Sequence, residues 1–342
     1  MKLAQIIAGA PAGGAELFYE RLTIALHRAG ETVLPIIRRD AGRAARLEAA
    51  GLRPMQFAFG GPLDLLTAPR LKRVLTSFAP AVAVAWMNRA ARFAPTGPWV
   101  LAGRLGGYYD LDYYKSCDHL IGNTRGIAEW IVGQGWPAAR VHYLPNFAPD
   151  MGAAAPADRA ALGVPAGAKL VLALGRLHTN KAFDVLIRAL PRLPGVHAVI
   201  AGDGPERTAL EELARTEGVA DRLHLPGWRT DTDALLAAAD VLACPSRVEP
   251  LGNVVIEAFS ARRPVVAAAA DGPRELIVPG RDGLLVPLED EAALADALAD
   301  VLNDPARAAA LADAGRARFD AEFAEAPVLA RWRRFLATVE KP

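Results

Sequence analysis

Two α/β domains in tandem, each a doubly wound parallel sheet, are predicted for this 342-residue chain. Three observations carry that prediction. Apolar runs of strand length alternate with segments of helical period from end to end. The alternation restarts after a small-residue stretch near position 150. The length suits two domains of ordinary size. Strands that alternate with helices imply parallel sheets covered on both faces. Two such domains leave a cleft between them, and ligands of these sheets bind beyond the C-terminal ends of the strands.

In the first half, Lys2–Ala8 reads as a strand and Glu16–Ala29 as a helix, on the spacing of Leu17, Ile24 and Leu26. Thr32–Ile37 is a strand, Leu63–Phe78 a helix and Ala81–Trp86 a strand. Val100–Gly103 and His119–Gly122 follow as strands. Thr124–Gln134 is a helix with Thr124 or Asn123 as its cap. Val141–Leu144 ends this half at Pro145-Asn146. The segment Asp150–Pro156 is small, contains proline and lacks periodicity, so it reads as a linker. Domains are expected at 1–149 and 150–326.

In the second half the strands are Leu170–Leu174, His197–Ala201, Leu223–Leu225, Val241–Cys244, Pro264–Ala268 and Leu284–Val286. Helices fall at Phe183–Leu190, Pro205–Glu217, Thr232–Ala238 and Val254–Ala261. Three more close the chain, at Ala292–Leu302, Pro305–Phe319 and Pro327–Val339. No repeat of solenoid period and no low-complexity tract occurs.

The chain is 52% hydrophobic and 23% charged, a globular balance. No apolar run approaches the roughly 18 to 20 residues of a membrane span, and the N-terminus reads as a first strand rather than a signal peptide. Cys117 and Cys244 suit reduced core thiols in a cytoplasm. A net charge of +1 argues against dedicated nucleic-acid binding. The halves differ, however. Residues 1–150 carry 17 Lys+Arg against 11 Asp+Glu, and the remainder 22 against 27. Arg38, Arg39, Arg43 and Arg46, then Arg70, Lys72 and Arg73, cluster in the first half. They read either as solvated helix faces or as a basic face for anionic lipid or an anionic acceptor.

The most informative stretch is Glu249-Pro250-Leu251-Gly252-Asn253-Val254-Val255-Ile256-Glu257. A strand ends, a glycine loop turns and a helix begins, and a helix start attracts phosphate. One carboxylate lies on the loop. The other lies about one turn into the helix, where it can accept from hydroxyls. That combination suits a sugar nucleotide, although by itself it also suits an ordinary acid-decorated helix start. Gly175-Arg176-Leu177-His178-Thr179-Asn180-Lys181 follows the strand Leu170–Leu174 directly. Its two cations offer a planar fork and a point charge, which together suit a diphosphate. Placed there, they stabilise the charge that grows on a leaving nucleoside diphosphate. Gly13-Gly14-Ala15-Glu16 opens a helix after strand one and lets backbone approach a phosphate, but it is not a full dinucleotide fingerprint. Gly202-Asp203-Gly204-Pro205 is a strand-to-helix turn.

Together with Leu225-Pro226-Gly227-Trp228, these motifs resemble the large retaining glycosyltransferase family of the two-Rossmann type, the GT-B fold, family 4. They run in the family's order over nearly the whole chain, most clearly over 170–290. The resemblance implies that Arg176 and Lys181 bind the donor diphosphate, with Gly14 closing over it and Gly204 beside it. Leu251, Gly252 and Asn253 would present N–H groups to phosphate or sugar. Glu257 would bind the ribose hydroxyls, and Glu249 would face the donor sugar. Trp228 and Arg229 would border the base. The segment 327–342 would pack back on the first domain. No metal is expected, because Arg, Lys and the helix dipole take its place, and no His/Cys cluster offers ligands.

Many relatives carry a His on a first-domain loop. The equivalent loop here, Gly103–Asp110, has none, and His119 reads as structural. Asn88, Arg104, Tyr108 and Asp110 are the candidates on the acceptor side. Tyr108, Tyr109, Tyr113 and Tyr114 either stack on an acceptor sugar or pad a short helix. The implied activity is transfer of a hexose with retention from UDP- or GDP-sugar to a surface glycan such as lipopolysaccharide core or exopolysaccharide. It would take place in the cytoplasm, or peripherally at the inner membrane face. A sugar-nucleotide epimerase of the same fold, or a degenerate glycan-binding scaffold, are the alternatives.

Overall fold

The computed structural model describes residues 1–10, 13–61 and 64–342. It falls into two compact units, Met1–Phe147 with Glu325–Pro342, and Ala148–Ala324.

The first unit alternates β1 (Lys2–Ile7), α1 (Gly14–Arg28), β2 (Thr32–Arg38), α2 (Ala41–Ala49), β3 (Met55–Phe57), α3 (Thr67–Phe78), β4 (Val82–Trp86), α4 (Met87–Phe93), β5 (Val100–Leu105), β6 (His119–Gly122), α5 (Arg125–Gly133) and β7 (Val141–Tyr143). Its sheet is parallel in every pairing, in the order β3-β2-β1-β4-β5-β6-β7. β4, β5 and β6 are buried along their whole length, as strands covered on both faces must be. Side chains of β1 alternate between two cores. Leu3 and Ile7 join the core under α1, while Ala4, Ile6 and Ala8 join the core under α3, α4 and α5. Val328, Trp332, Phe335 and Leu336 of the closing helix Glu325–Thr338 belong to the α1 core.

The second unit runs β8 (Lys169–Leu174), α6 (Phe183–Ala189), β9 (Val196–Ala201), α7 (Arg207–Thr216), β10 (Leu223–His224), α8 (Thr232–Ala238), β11 (Val241–Cys244), α9 (Asn253–Ser260), β12 (Val265–Ala268), α10 (Asp271–Leu276), β13 (Leu284–Val286), α11 (Glu291–Asn303) and α12 (Pro305–Arg318). The closing helix is then α13. The strand order is β10-β9-β8-β11-β12-β13, again parallel throughout. Each sheet reverses its winding once, at β1/β4 and at β8/β11. At such a switch point the flanking loops leave to opposite faces and open a crevice.

The sequence patterns place most of these elements within a residue or two. α2, β3, α4 and α10 are the differences. α2 buries Arg43, Ala44 and Leu47, so its inner stripe carries little apolar signal. It is held instead by the Asp40 cap, which accepts from Arg43 N at 2.9 Å, and by the Arg43–Glu20 ion pair at 3.0 Å. β3 is a three-residue edge strand, and α4 buries only Ala90 and Ala91. Leu63 of the expected helix lies outside the described residues. α3 starts at Thr67, whose N–H donates to Asp64 Oδ1 at 3.0 Å. The basic cluster of the first half also divides. Arg43 is wholly buried and Arg46 is paired to Glu20 at 2.6 Å, whereas Arg70, Lys72 and Arg73 stay exposed.

His119 and His142 join β6 to β7. His119 Nε2 lies 2.8 Å from the carbonyl of Glu340, so it carries the hydrogen; in the neutral pair His142 Nε2 then donates to His119 Nδ1 at 3.0 Å. The His142 ring also packs edge-on against Phe335. Burial, then the neighbouring His119, pushes His142 down to about 4. Its folded value is below its unfolded one, so the unfolded chain binds the extra proton first. The contribution of neutral His142 is present above about pH 6.5 and is lost as pH falls toward 4. Denaturant titrations between pH 7.5 and 4.5 are expected to show stability falling in that window, and His142→Gln is expected to flatten the slope.

Candidate active site

Of the residues singled out in the second unit, Arg176, Lys181, Glu249, Leu251, Gly252, Asn253 and Glu257 lie on the segments that follow β8 and β11, whereas Gly204 follows β9 and Trp228 and Arg229 follow the edge strand β10. β8 and β11 are adjacent, with Val171 beside Val241 and Leu172 beside Leu242. The loops that leave their C-terminal ends are Gly175–Ala182 and Pro245–Gly252. α6 packs into one core and α9 into the other, so these loops leave adjacent strands toward opposite faces of the sheet.

Lys181 Nζ is ion-paired to Glu249 Oε2, joining the two loops. Ser246 Oγ donates to the same carboxylate oxygen at 3.2 Å. The Lys181 side chain is 25% exposed and Glu249 11%. Burial pulls the Lys181 ammonium down, but the Glu249 carboxylate more than offsets this, leaving its pKa above the ordinary lysine value. Cys244, at the end of β11, is a buried thiol pushed up to about 11 by desolvation. Arg176 is exposed and has no ion-pair partner among the described residues.

Arg247 was not anticipated, and it holds the two loops in register. Its guanidinium donates to both carboxylate oxygens of Asp184 at 2.8 and 2.6 Å, to Glu289 Oε2 at 2.8 Å and to the Thr179 carbonyl at 2.8 Å. Its backbone N–H and that of Val248 donate to the Asn180 carbonyl at 2.9 and 3.2 Å. Asp184 lies in the first turn of α6. Arg247 thus ties the residues just before Lys181 to the residues just before Glu249. The signal available in sequence was one arginine inside the loop and one acid at a helix start, and neither is specific.

Gly202 and Gly204 have a packing reason. A Cβ at Gly202 would overlap the Gly175 carbonyl, and one at Gly204 would overlap that of Leu177. The close approach lets Leu177 N donate to Asp203 O at 2.9 Å and Glu206 N to Leu177 O at 3.2 Å. The turn after β9 therefore shapes the Arg176 loop from beneath. Gly252 caps α9 at φ 88°, a left-handed conformation that costs glycine nothing. Leu251 is buried, while Asn253 and Glu257 are half-buried. Trp228 is 58% exposed, and Arg229 beside it is clasped by Asp231 at 2.8 and 2.5 Å.

Two Asp-x-Asp spacings occur, and both are committed locally. Asp231 holds Arg229, and Asp233 Oδ1 accepts from Ala234 N. Asp110 Oδ1 accepts from Asp112 N, and Asp112 pairs with Lys115. Among the described residues no group of three or more His, Cys, Asp or Glu side chains could hold a metal ion.

Residues 168–304 match the family described as glycosyl transferases group 1. The lipopolysaccharide core biosynthesis glycosyltransferase LpsE of Rhizobium meliloti (strain 1021) is 35% identical over 331 residues, covering 95% of this chain and 96% of the relative. This chain belongs to the glycosyl transferases group 1 family. LpsD of the same organism, also a lipopolysaccharide core biosynthesis glycosyltransferase, is 33% identical over 95% of both chains. The crystal structure of Anabaena HepE in complex with UDP and glucose superposes with a TM-score of 0.86 at 24% identity, over 99% of this chain and 100% of that one. That likeness establishes the GT-B fold.

In the first unit of this glycosyltransferase, Gly14 is the first residue of α1. Below it Glu16 is buried and accepts from Ala10 N at 2.8 Å. Asn88 is half-buried, its Oδ1 accepting from the fully buried Tyr114 hydroxyl at 2.9 Å. Arg104 is 2% exposed. Its guanidinium lies 4.3 Å from the Trp86 ring centroid and 4.9 Å from that of Phe18, and it donates to Asn146 Oδ1 at 2.5 Å. Burial pulls it down to about 9. Tyr108 is 44% exposed and meets Trp130 edge-on, and Asp110 is exposed and caps the short turn Leu111–Tyr114. Of the four tyrosines, Tyr114 pads the core.

Arg247→Ala removes several charge-assisted hydrogen bonds from a partly buried site. The expected loss is about 2 kcal/mol, read as a Tm lower by roughly 4 to 8 °C.

Proposed function

We propose that this glycosyltransferase moves a hexose with retention from a nucleoside-diphosphate sugar, UDP before GDP, to a lipopolysaccharide-core or related surface-glycan acceptor. The observation that carries the donor half is the Lys181–Glu249 pair at the β8/β11 switch, on the same loop as the exposed Arg176, which has no ion-pair partner among the described residues. The acceptor half follows the names of LpsE and LpsD, which align over nearly the whole chain. The preference for UDP follows HepE, whose crystals hold UDP and glucose.

In this reading the diphosphate draws Lys181 away from Glu249 and binds between it and Arg176, assisted by the N–H groups at the start of α9 around Leu251, Gly252 and Asn253. Glu249 is then free to accept from sugar hydroxyls, and Glu257 from the ribose. Trp228 and Arg229 border the base. The bond from the anomeric carbon to the diphosphate oxygen breaks while the acceptor oxygen approaches the same face. The departing diphosphate takes the proton of the acceptor hydroxyl. The products are a glycoside of unchanged anomeric configuration and a nucleoside diphosphate. The chemistry asks for positive charge where the leaving group gains negative charge, and the two cations supply it without a metal. With its basic first half, the enzyme works peripherally at the cytoplasmic face of the membrane.

Lys181→Ala and Glu249→Ala, folded by circular dichroism, are each expected to lower kcat by roughly 10²- to 10³-fold. Near-native turnover in both would sink the assignment. A thermal-shift panel with UDP, GDP and ADP is expected to single out UDP, a ligand at a hundred times its Kd adding about 2.7 kcal/mol. Glu249→Gln leaves Lys181 with its burial and without its carboxylate. The lysine pKa then falls, and the alkaline limb of kcat/KM is expected to move to lower pH than in the wild type.

A further inference from the structure

Leu65 and Leu66 are 79% and 59% exposed, the two most exposed large apolar side chains among the described residues, and they are consecutive. Folding pushes such a pair inward unless something holds it out. Here Asp64 does so. Its Oδ2 accepts from Gly60 N at 2.8 Å and from the Thr67 hydroxyl at 2.6 Å, and its Oδ1 accepts from Leu66 N at 3.3 Å and Thr67 N at 3.0 Å. One carboxylate ties Gly60 to the start of α3, and the two leucines between are left exposed.

α3 continues the surface. It turns Thr67, Leu71 and Leu75 inward. Leu66, Arg70 and Arg73 follow at i, i+4 and i+7 on the outer side, with Lys72 exposed beside them. None of the three cations has an ion-pair partner among the described residues. The chain carries no acidic residue between Asp64 and Asp110. An apolar tip followed by unneutralised cations on one helix face matches an anionic lipid interface, where leucines enter the acyl boundary and cations meet phosphates. A soluble acidic partner would account for the cations but not for two consecutive leucines held into solvent.

We propose that Leu65, Leu66 and the outer face of α3 dock this enzyme on an anionic bilayer surface. This specifies the membrane contact in the function proposed above, and it requires no particular donor sugar. The test is co-sedimentation of the full chain with phosphatidylcholine vesicles and with equimolar phosphatidylcholine/phosphatidylglycerol vesicles at low salt. The wild type is expected to bind only the anionic vesicles. Leu65→Ser/Leu66→Ser is expected to weaken binding at least tenfold, and Arg70→Gln/Lys72→Gln/Arg73→Gln roughly a hundredfold. Both variants change exposed residues and are expected to keep the wild-type Tm. Absence of wild-type binding to the anionic vesicles overturns the proposal, as an acidic protein partner would predict. So does binding that survives either variant, and survival in the leucine variant alone means surface electrostatics without insertion. The same preparations are scanned with UDP. Vesicle binding without a nucleotide shift would overturn the donor assignment and leave this proposal standing.

Discussion

The reversal of strand order between β8 and β11 is the constraint on which the candidate site depends. Strands on either side of it wind in opposite directions, so the helices that follow β8 and β11 pack on opposite faces of the sheet. Val171 and Ala173 of β8 look into the core with α6, and Leu170, Leu172 and Leu174 into the core with α9. The two loops therefore part above adjacent strands. Residues that are 68 positions apart, Lys181 and Glu249, meet as an ion pair. No local propensity brings them together. The pairing of two buried strands does.

A half-buried lysine and carboxylate are stable together and costly apart, because removing either leaves a charge in a place that disfavours it. The surrounding network keeps the pair in register. Arg247 bridges to Asp184, Glu289 and the carbonyl of Thr179, and the glycine turn after β9 supports the Arg176 loop. The pair is thus preorganised on rigid elements while one cation, Arg176, stays exposed. In the proposed reaction the incoming diphosphate exchanges one partner of Lys181.

The first unit solves a related problem differently. Its switch point, β1/β4, carries Trp86 at the end of β4, and the Trp86 indole N–H donates to the buried Gln5 side chain at 2.5 Å. The guanidinium of Arg104 rests on Trp86 and Phe18 rather than on a carboxylate. Ring faces stabilise a desolvated cation without neutralising it, so the site keeps a positive centre beneath its surface. His119, whose place in a strand marked it as structural, spends both ring nitrogens on His142 and Glu340.

The fold was legible because parallel strands buried on both faces are short continuous apolar runs, and helices between them keep a 3.6-residue period. Where those signals faded the reading faded with them: α2 carries a buried arginine, α4 only alanines, and β3 three residues at a sheet edge. The motifs Arg176…Lys181 and Glu249…Glu257 were legible because charged residues on glycine loops stand out from the apolar strands that precede them. The sequence by itself thus determined the strand–helix alternation, the family and the residues worth suspecting. Tertiary structure alone decided which cations remain available. Of seven clustered basic residues, Arg43 is buried against Glu20 and Arg46 clasps the same carboxylate, while Arg70, Lys72 and Arg73 face solvent beside two leucines. The physical reason is that charge is carried by composition, but pairing depends on distance, and distance is set only when the chain closes on itself.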